Sequence, residues 1–394
     1  MDRLTGTVQA YAWGSTTALP EFLGEEPNGE PQAELWLGAH VDSPSVLEDG
    51  TRLDDAVRAD PQRLLGKRVT AAFGPRIPFL LKVLSAQSPL SLQVHPSPEQ
   101  AAAGFAAEQS AGVAPDAPDR RYHDEFHKPE MVVALTPFEV LCGLRPNAEV
   151  AALLATLDVA DPTWGYLLSL LEGTDDRAHE RALRWLLGGD PRVPALLDAV
   201  VHACATRVSE PSLRTVVELA EAFPGDPGVL VSLLLHRVSL EPGDALFLPA
   251  GNVHAYLSGT ALEVMASSDN VLRAGLTSKH VDVEELLRLV HFTPRAVPWV
   301  TPERRGPLTC YRPGTDEFEL VQARLDGAQG WVDVEADGPR VVLVLDGVVE
   351  AGAGSEVSSV RRGESLFVAD ADGPLRLRGT GCAVVVAVPV SRAS

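Results

Sequence analysis

A chain of 394 residues with 45% hydrophobic side chains can bury a large core and has the length for about two or three structural units, which excludes a disordered polymer. Its formal charge of −21, from 54 acidic against 33 basic residues, argues against nucleic-acid and anionic-membrane partners, so an anionic ligand would need a local cluster of Lys and Arg. Cys142, Cys204, Cys310 and Cys382 are scattered with no CxxC spacing, which speaks against a disulfide framework or a cysteine zinc site. The start, MDRLTGTVQAYAWGS, lacks the basic-then-apolar pattern of a secretory signal, and no apolar run approaches about 18 residues; the expectation is a cytoplasmic protein.

Residues 1–146 read as strands, turns and short helices. An opening strand is expected within residues 2–13, a Gly-, Pro- and Glu-rich surface loop over 24–32, a short apolar strand over 33–38 and helical spacing over 53–65. Residues 79–85, FLLKVLS, form a buried strand with one charge in it, Lys82, which is either a stem covering apolar surface or a site cation. In SLQVHP, residues 91–96, an extended chain turns Gln93 and His95 to one face and Leu92 and Val94 to the other. Ser97 and Pro98 open a helix over 97–108, and an Ala/Pro/Asp-rich loop follows over 110–121.

HKPE, residues 127–130, offers His127 or Glu130 as a further ligand, with His123 nearby and Lys128 on the face of Glu130 if the segment is extended. From 147 to about 235 the hydrophobic period changes from two to about 3.6, so a helical insertion interrupts a β protein, and His179 and His202 read as core or helix-surface residues. β character returns at 236, and His254 stands in NVHAY as another candidate ligand. The layout Gly243, Asp244, two residues, Phe247 recurs as Gly363, Glu364, two residues, Phe367: the strongest internal repeat in the chain. No histidine occurs after residue 291, so a second copy of the β unit would carry no such ligands. Gln93, His95, Glu130 and His254 together suit a borderline divalent ion such as zinc, and with a single carboxylate they leave the centre net positive.

SLQVHP, HKPEM, AELWLGAH and PAGNVHAYLSGTALEVMASSDNVLRAGL resemble the signature blocks of type I mannose-6-phosphate isomerases, zinc enzymes of the cupin superfamily, and the resemblance runs from about Tyr11 to Val290 and more weakly to the end. The resemblance implies a mainly β fold of two cupin-type jelly-roll barrels with an inserted helical bundle. The catalytic unit would comprise residues 1–146 and 236–292, the helical insertion 147–235, and a cupin-like β unit 293–394. It also implies one zinc per chain, with Glu130 rather than His127 as the middle ligand, a small sugar phosphate as partner, and a monomer or weak homo-oligomer. Phe126 stands where relatives often carry Asn, and Ser278 where Pro is common; neither replaces a ligand.

Aldose–ketose isomerisation moves a proton between adjacent carbons through an enediol, which needs a Lewis acid at the oxygen and a general acid/base. Glu263 is the carboxylate expected to carry the proton, with Lys128, Tyr256 and Asp269 as alternatives and an orienting part beside His254 or Arg273 as the other reading of Glu263. By resemblance Arg273 belongs to the active site, where a guanidinium could stabilise developing charge. Lys279, Lys82 and Ser91 are the candidates for the phosphate. A cupin that binds a sugar without turnover, or an iron oxygenase, are the competing functions; the neutral Gln93 and the lysines favour an isomerase.

Overall fold

The protein is described from a computed structural model covering residues 1–117, 119–172 and 177–390. Two ten-stranded antiparallel systems make up most of it, with helices between Asn147 and Val231. The first sheet system holds the strands Thr7–Gln9, Glu34–Gly38, Phe79–Ala86, Leu92–Val94, Glu130–Ala134, Phe138–Leu144, Leu235–Leu240, Ala245–Leu248, His254–Ala266 and Leu272–Gly275. The second holds the strands after residue 303 together with two early ones. Those are Asp2–Thr5, paired with Ser365–Val368, and Val46–Leu47 beside it. The single opening strand expected over 2–13 is therefore two short strands, the first of which pairs with the carboxy-terminal half. An apolar alternation fixes which face of a strand is buried but says nothing about its partner.

Both faces of the Phe79–Ala86 strand are buried. Phe79, Leu81 and Val83 pack with Leu320, Val341 and Val384 of the second sheet, whereas Leu84 joins Val132, Phe138 and Tyr256 inside the first. A continuous apolar run rather than an alternating one follows from that double burial. The helices Asn147–Leu154, Trp164–Leu171, Arg177–Leu187, Val193–Ala205 and Pro211–Ala222 bury one stripe each against the outer side of the first sheet, at Leu92, Ala255, Leu257 and Leu272. The expected helical segments that run into residues 173–176 lie partly outside the described residues.

The repeat seen in the sequence is the same turn twice. Asp244 accepts a hydrogen bond from the Glu241 amide and donates its own amide to the Glu241 carbonyl; Glu364 does both with Arg361. Gly243 and Gly363 take φ of 96° and 81°, a region a side chain would disfavour. Each leads into a strand, Ala245–Leu248 or Ser365–Val368.

Candidate active site

The centre is built on the thirteen-residue strand His254–Ala266. Its first half pairs with Leu92–Val94 and Phe138–Leu144, and its second half with Phe79–Ala86 and Glu130–Ala134. A register shift between Tyr256 and Ser258 lies between the halves. His254 and Glu263 are nine residues apart, and strict alternation would put them on opposite faces; the irregularity reverses the alternation and turns both inward. Gln93 is the cross-strand partner of His254 on one side and of Arg273 on the other, so these side chains share the inner face with His95.

His95, Glu130 and His254 converge, each essentially without solvent contact, and their ligand-type atoms all lie within 4.8 Å of one another. His95 Nδ1 is 2.8 Å from the carbonyl of Asn270, and His254 Nδ1 is 2.9 Å from that of Asn252. A carbonyl only accepts, so each Nδ1 carries the proton and each Nε2 offers a lone pair. Those lone pairs sit 3.3 Å from Glu130 Oε1 and Oε2. Both Nε2 atoms and Glu130 Oε2 have no hydrogen-bond partner, an arrangement of facing acceptors that fits a cation among them. Burial holds His95 below its ordinary pKa, in the neutral, ligating form. Burial works against charge on Glu130, yet the Lys128 ammonium 3.4 Å away favours the carboxylate, and its pKa lies below the usual range.

A second buried group lies along the same inner face. Lys82 Nζ is 2.9 Å from Glu263, 3.6 Å from Glu34 and 4.9 Å from the centre of the Trp36 ring, whose indole N–H donates to Glu34. Burial opposes the Lys82 charge, but the two carboxylates outweigh it and raise its pKa. Burial raises the Glu34 pKa, with Lys82 working the other way. Burial likewise raises that of Tyr256, which reaches the cavity beside Glu263.

The cavity above these groups has a volume of about 1190 Å³, and Ser91, Gln93, Lys128, Asp269, Arg273 and Lys279 line it. Burial lowers the Arg273 pKa; the nearby Arg273 charge, then burial, lowers that of Lys279. The helical insertion supports this end of the site: Asp226 accepts from the amides of Gly228 and Thr277, and Gly275 packs so closely on Gly228 that a Cβ would approach its Cα to 2.8 Å. Elsewhere on the lining, Asp269 Oδ1 lies 3.3 Å from His40 Nε2. Burial opposes the Asp269 charge, but the His40 hydrogen bond lowers its pKa; burial and then Asp269 raise that of neighbouring Asp42.

Sequence reasoning missed Glu34, His40, Asp42 and Asn270. Glu34 had a signal: it is an acid in an apolar strand, as Lys82 is a base in another. Asn270 is fully buried and accepts from the amides of His123 and Asp124, while its own amide group donates to the carbonyls of Asp124 and Phe126. It thus ties the 123–126 loop to the carbonyl that orients His95. His123 is exposed at the cavity edge, His179 is a core residue and His202 is exposed.

A family model for phosphomannose isomerase type I, catalytic domain, matches residues 1–147. The mannose-6-phosphate isomerase of Escherichia coli (strain K12) is 37% identical over 389 residues, which cover 97% of this chain and 98% of that protein. This chain belongs to the mannose-6-phosphate isomerase family. The mannose-6-phosphate isomerase of Bos taurus is 32% identical over 93% of this chain and 92% of its own. A solved mannose 6-phosphate isomerase from Salmonella typhimurium, bound to its substrate and zinc, matches with a TM-score of 0.91 at 35% identity, covering 99% of this chain and 100% of that one. A zinc-bound holo form matches with a TM-score of 0.91 at 34% identity, covering 99% of each chain. The chain is thus an enzyme of an isomerase family with zinc-bound members, and its His95, Glu130 and His254 form a group that could hold such an ion.

Proposed function

We propose that this chain interconverts mannose 6-phosphate and fructose 6-phosphate through an enediol in the cavity above His95, Glu130 and His254. The observation that carries the reading is the pair of imidazoles, each with Nδ1 committed to a backbone carbonyl and Nε2 turned on one buried carboxylate. Gln93 completes the ligand set from its place opposite His254. A zinc ion held there supplies a Lewis acid at the sugar oxygen that becomes charged in the enediol.

The remaining work falls to the chain. Arg273, opposite Gln93, stabilises charge on the substrate oxygens, and Lys279 and Ser91 take the phosphate where the cavity carries its cationic side. Lys82 is committed to Glu263 and Glu34, which favours a counter-ion role over a phosphate contact. Glu263 carries the proton between the two carbons, with Lys128 and Tyr256 beside it. Asp269 is the second reading for that base: it also lines the cavity and is fixed by His40. For the fold, we propose two cupin-type barrels and a helical bundle, supported by the repeated Gly–acid turn.

A coupled assay on mannose 6-phosphate, run with zinc and with a chelator, tests the function. Turnover that zinc restores after chelation is the expected result, and no turnover by fully metallated protein overturns it. Glu263→Gln and Asp269→Asn then separate the two bases by which one abolishes proton exchange at C2 with solvent.

A further inference from the structure

The segment from His127 to Glu130 is fastened from three directions. Asn270 holds the loop before it, as described above. Beneath it, the Arg76 guanidinium lies 3.4 Å from the centre of the Phe126 ring and donates to the Phe73 and Ser267 carbonyls. The third fastening comes from the other sheet system: His127 Nε2 is 2.7 Å from Glu317 Oε1, across 190 residues of sequence. Glu317 lies just before the strand Glu319–Asp326, is 8% exposed, and accepts a hydrogen bond from the Thr315 hydroxyl on its other oxygen.

We propose that Glu317 is a positioning residue through which the carboxy-terminal β unit sets the segment that carries Lys128 and Glu130. The inference rests on the isomerase reading. Lys128 precedes Pro129, which confines Lys128 to extended backbone and fixes its own φ, so little freedom remains between His127 and Glu130. An anchor on the His127 ring therefore sets where the Lys128 ammonium falls, 3.4 Å from Glu130 in this structure. Asn270 and Arg76 belong to the strands and turns around the site; Glu317 lends the same loop a fixed point on the neighbouring unit, whose sequence carries no histidine. This gives the carboxy-terminal half a part in the reaction without placing it in contact with substrate.

The test uses the full chain loaded with zinc, comparing wild type with Glu317→Ala, Glu317→Gln and, as a control, Glu350→Ala, which breaks an exposed pair with Arg378 in the same sheet. In Glu317→Ala, kcat should fall about tenfold with zinc content and thermal midpoint kept and KM changed by no more than about twofold, and amide exchange across residues 123–130 should quicken about tenfold, the scale of one lost charge-assisted hydrogen bond. Glu317→Gln should recover part of both losses, because its amide oxygen still accepts from the imidazole N–H. Glu350→Ala should match wild type. Unchanged exchange in Glu317→Ala, or a loss of kcat that only follows a loss of zinc, overturns the proposal. A wild-type protein without isomerase activity would defeat the functional reading, while the exchange data would still decide whether Glu317 anchors the loop.

Discussion

Lys82 and Glu263 face each other across neighbouring antiparallel strands with 2.9 Å between ammonium and carboxylate, and both are more than nine-tenths buried. Glu34 adds a second carboxylate at 3.6 Å, so one buried cation serves two anions. Removing the cation leaves both carboxylates uncompensated, whereas removing one carboxylate leaves a one-to-one pair. Lys82→Met should therefore cost about 3–5 kcal/mol of stability in denaturant unfolding, and Glu263→Gln distinctly less. Equal losses would mean that Glu34 is neutral in the folded protein.

Metal binding should depend on the ligands unequally. Glu130 brings the only negative charge to the set, and Glu130→Gln would surround a divalent ion with neutral groups alone. Glu130→Gln and His254→Ala should emerge from purification with almost no zinc, measured by elemental analysis. Gln93→Ala keeps both imidazoles and the carboxylate, and should bind zinc with weaker affinity in a chelator competition.

Arg273 and Lys279 should separate by kinetic parameter. If Arg273 meets charge that develops only during the reaction, Arg273→Ala lowers kcat by about 10²–10³ with zinc still bound. Lys279 would meet a phosphate that is charged throughout, so Lys279→Ala should raise KM by about tenfold and leave kcat nearly unchanged. Raising the ionic strength should narrow the KM difference between Lys279→Ala and wild type, since Lys279 lies at the open side of the cavity.

The run of helices over residues 147–231 was legible because period 3.6 is a local property, and the Gly–acid turn because it recurs with the same spacing. His95 and Glu130 were legible through their motifs as candidate ligands, and the structure brings them together with His254 in a group that could hold a metal ion. The placement of Glu263 was not: nine residues from His254, it reaches the inner face only because of the irregularity between Tyr256 and Ser258, and a backbone bulge leaves no mark in an apolar strand. The sequence alone keeps Lys82 between two readings for a related reason. Its partner Glu34 lies 48 positions away on another strand, and residue type alone does not pair them. Phe126 gave no signal of its partner either: Arg76, 50 positions earlier, stacks on its ring.

His179 gives a pH-dependent prediction away from the site. It is fully buried on the helix Arg177–Leu187 with no hydrogen-bond partner on either ring nitrogen among the described residues, and burial pushes it from 6.5 down to about 4. A histidine whose folded pKa lies below its unfolded one binds its proton preferentially when the chain is unfolded. Between pH 6.5 and about 4 the unfolded state therefore gains the proton first, and stability falls as pH falls across that window. The site's contribution to that loss is of order 3 kcal/mol, from about 1.4 kcal/mol per pKa unit. His179→Leu replaces the ring with an apolar side chain that has no proton to gain, so the stability difference between the variant and wild type should move in the variant's favour by that amount from pH 7 to pH 4. Urea unfolding of both proteins at several pH values measures it, and parallel curves would show that His179 takes up its proton without leaving the folded core.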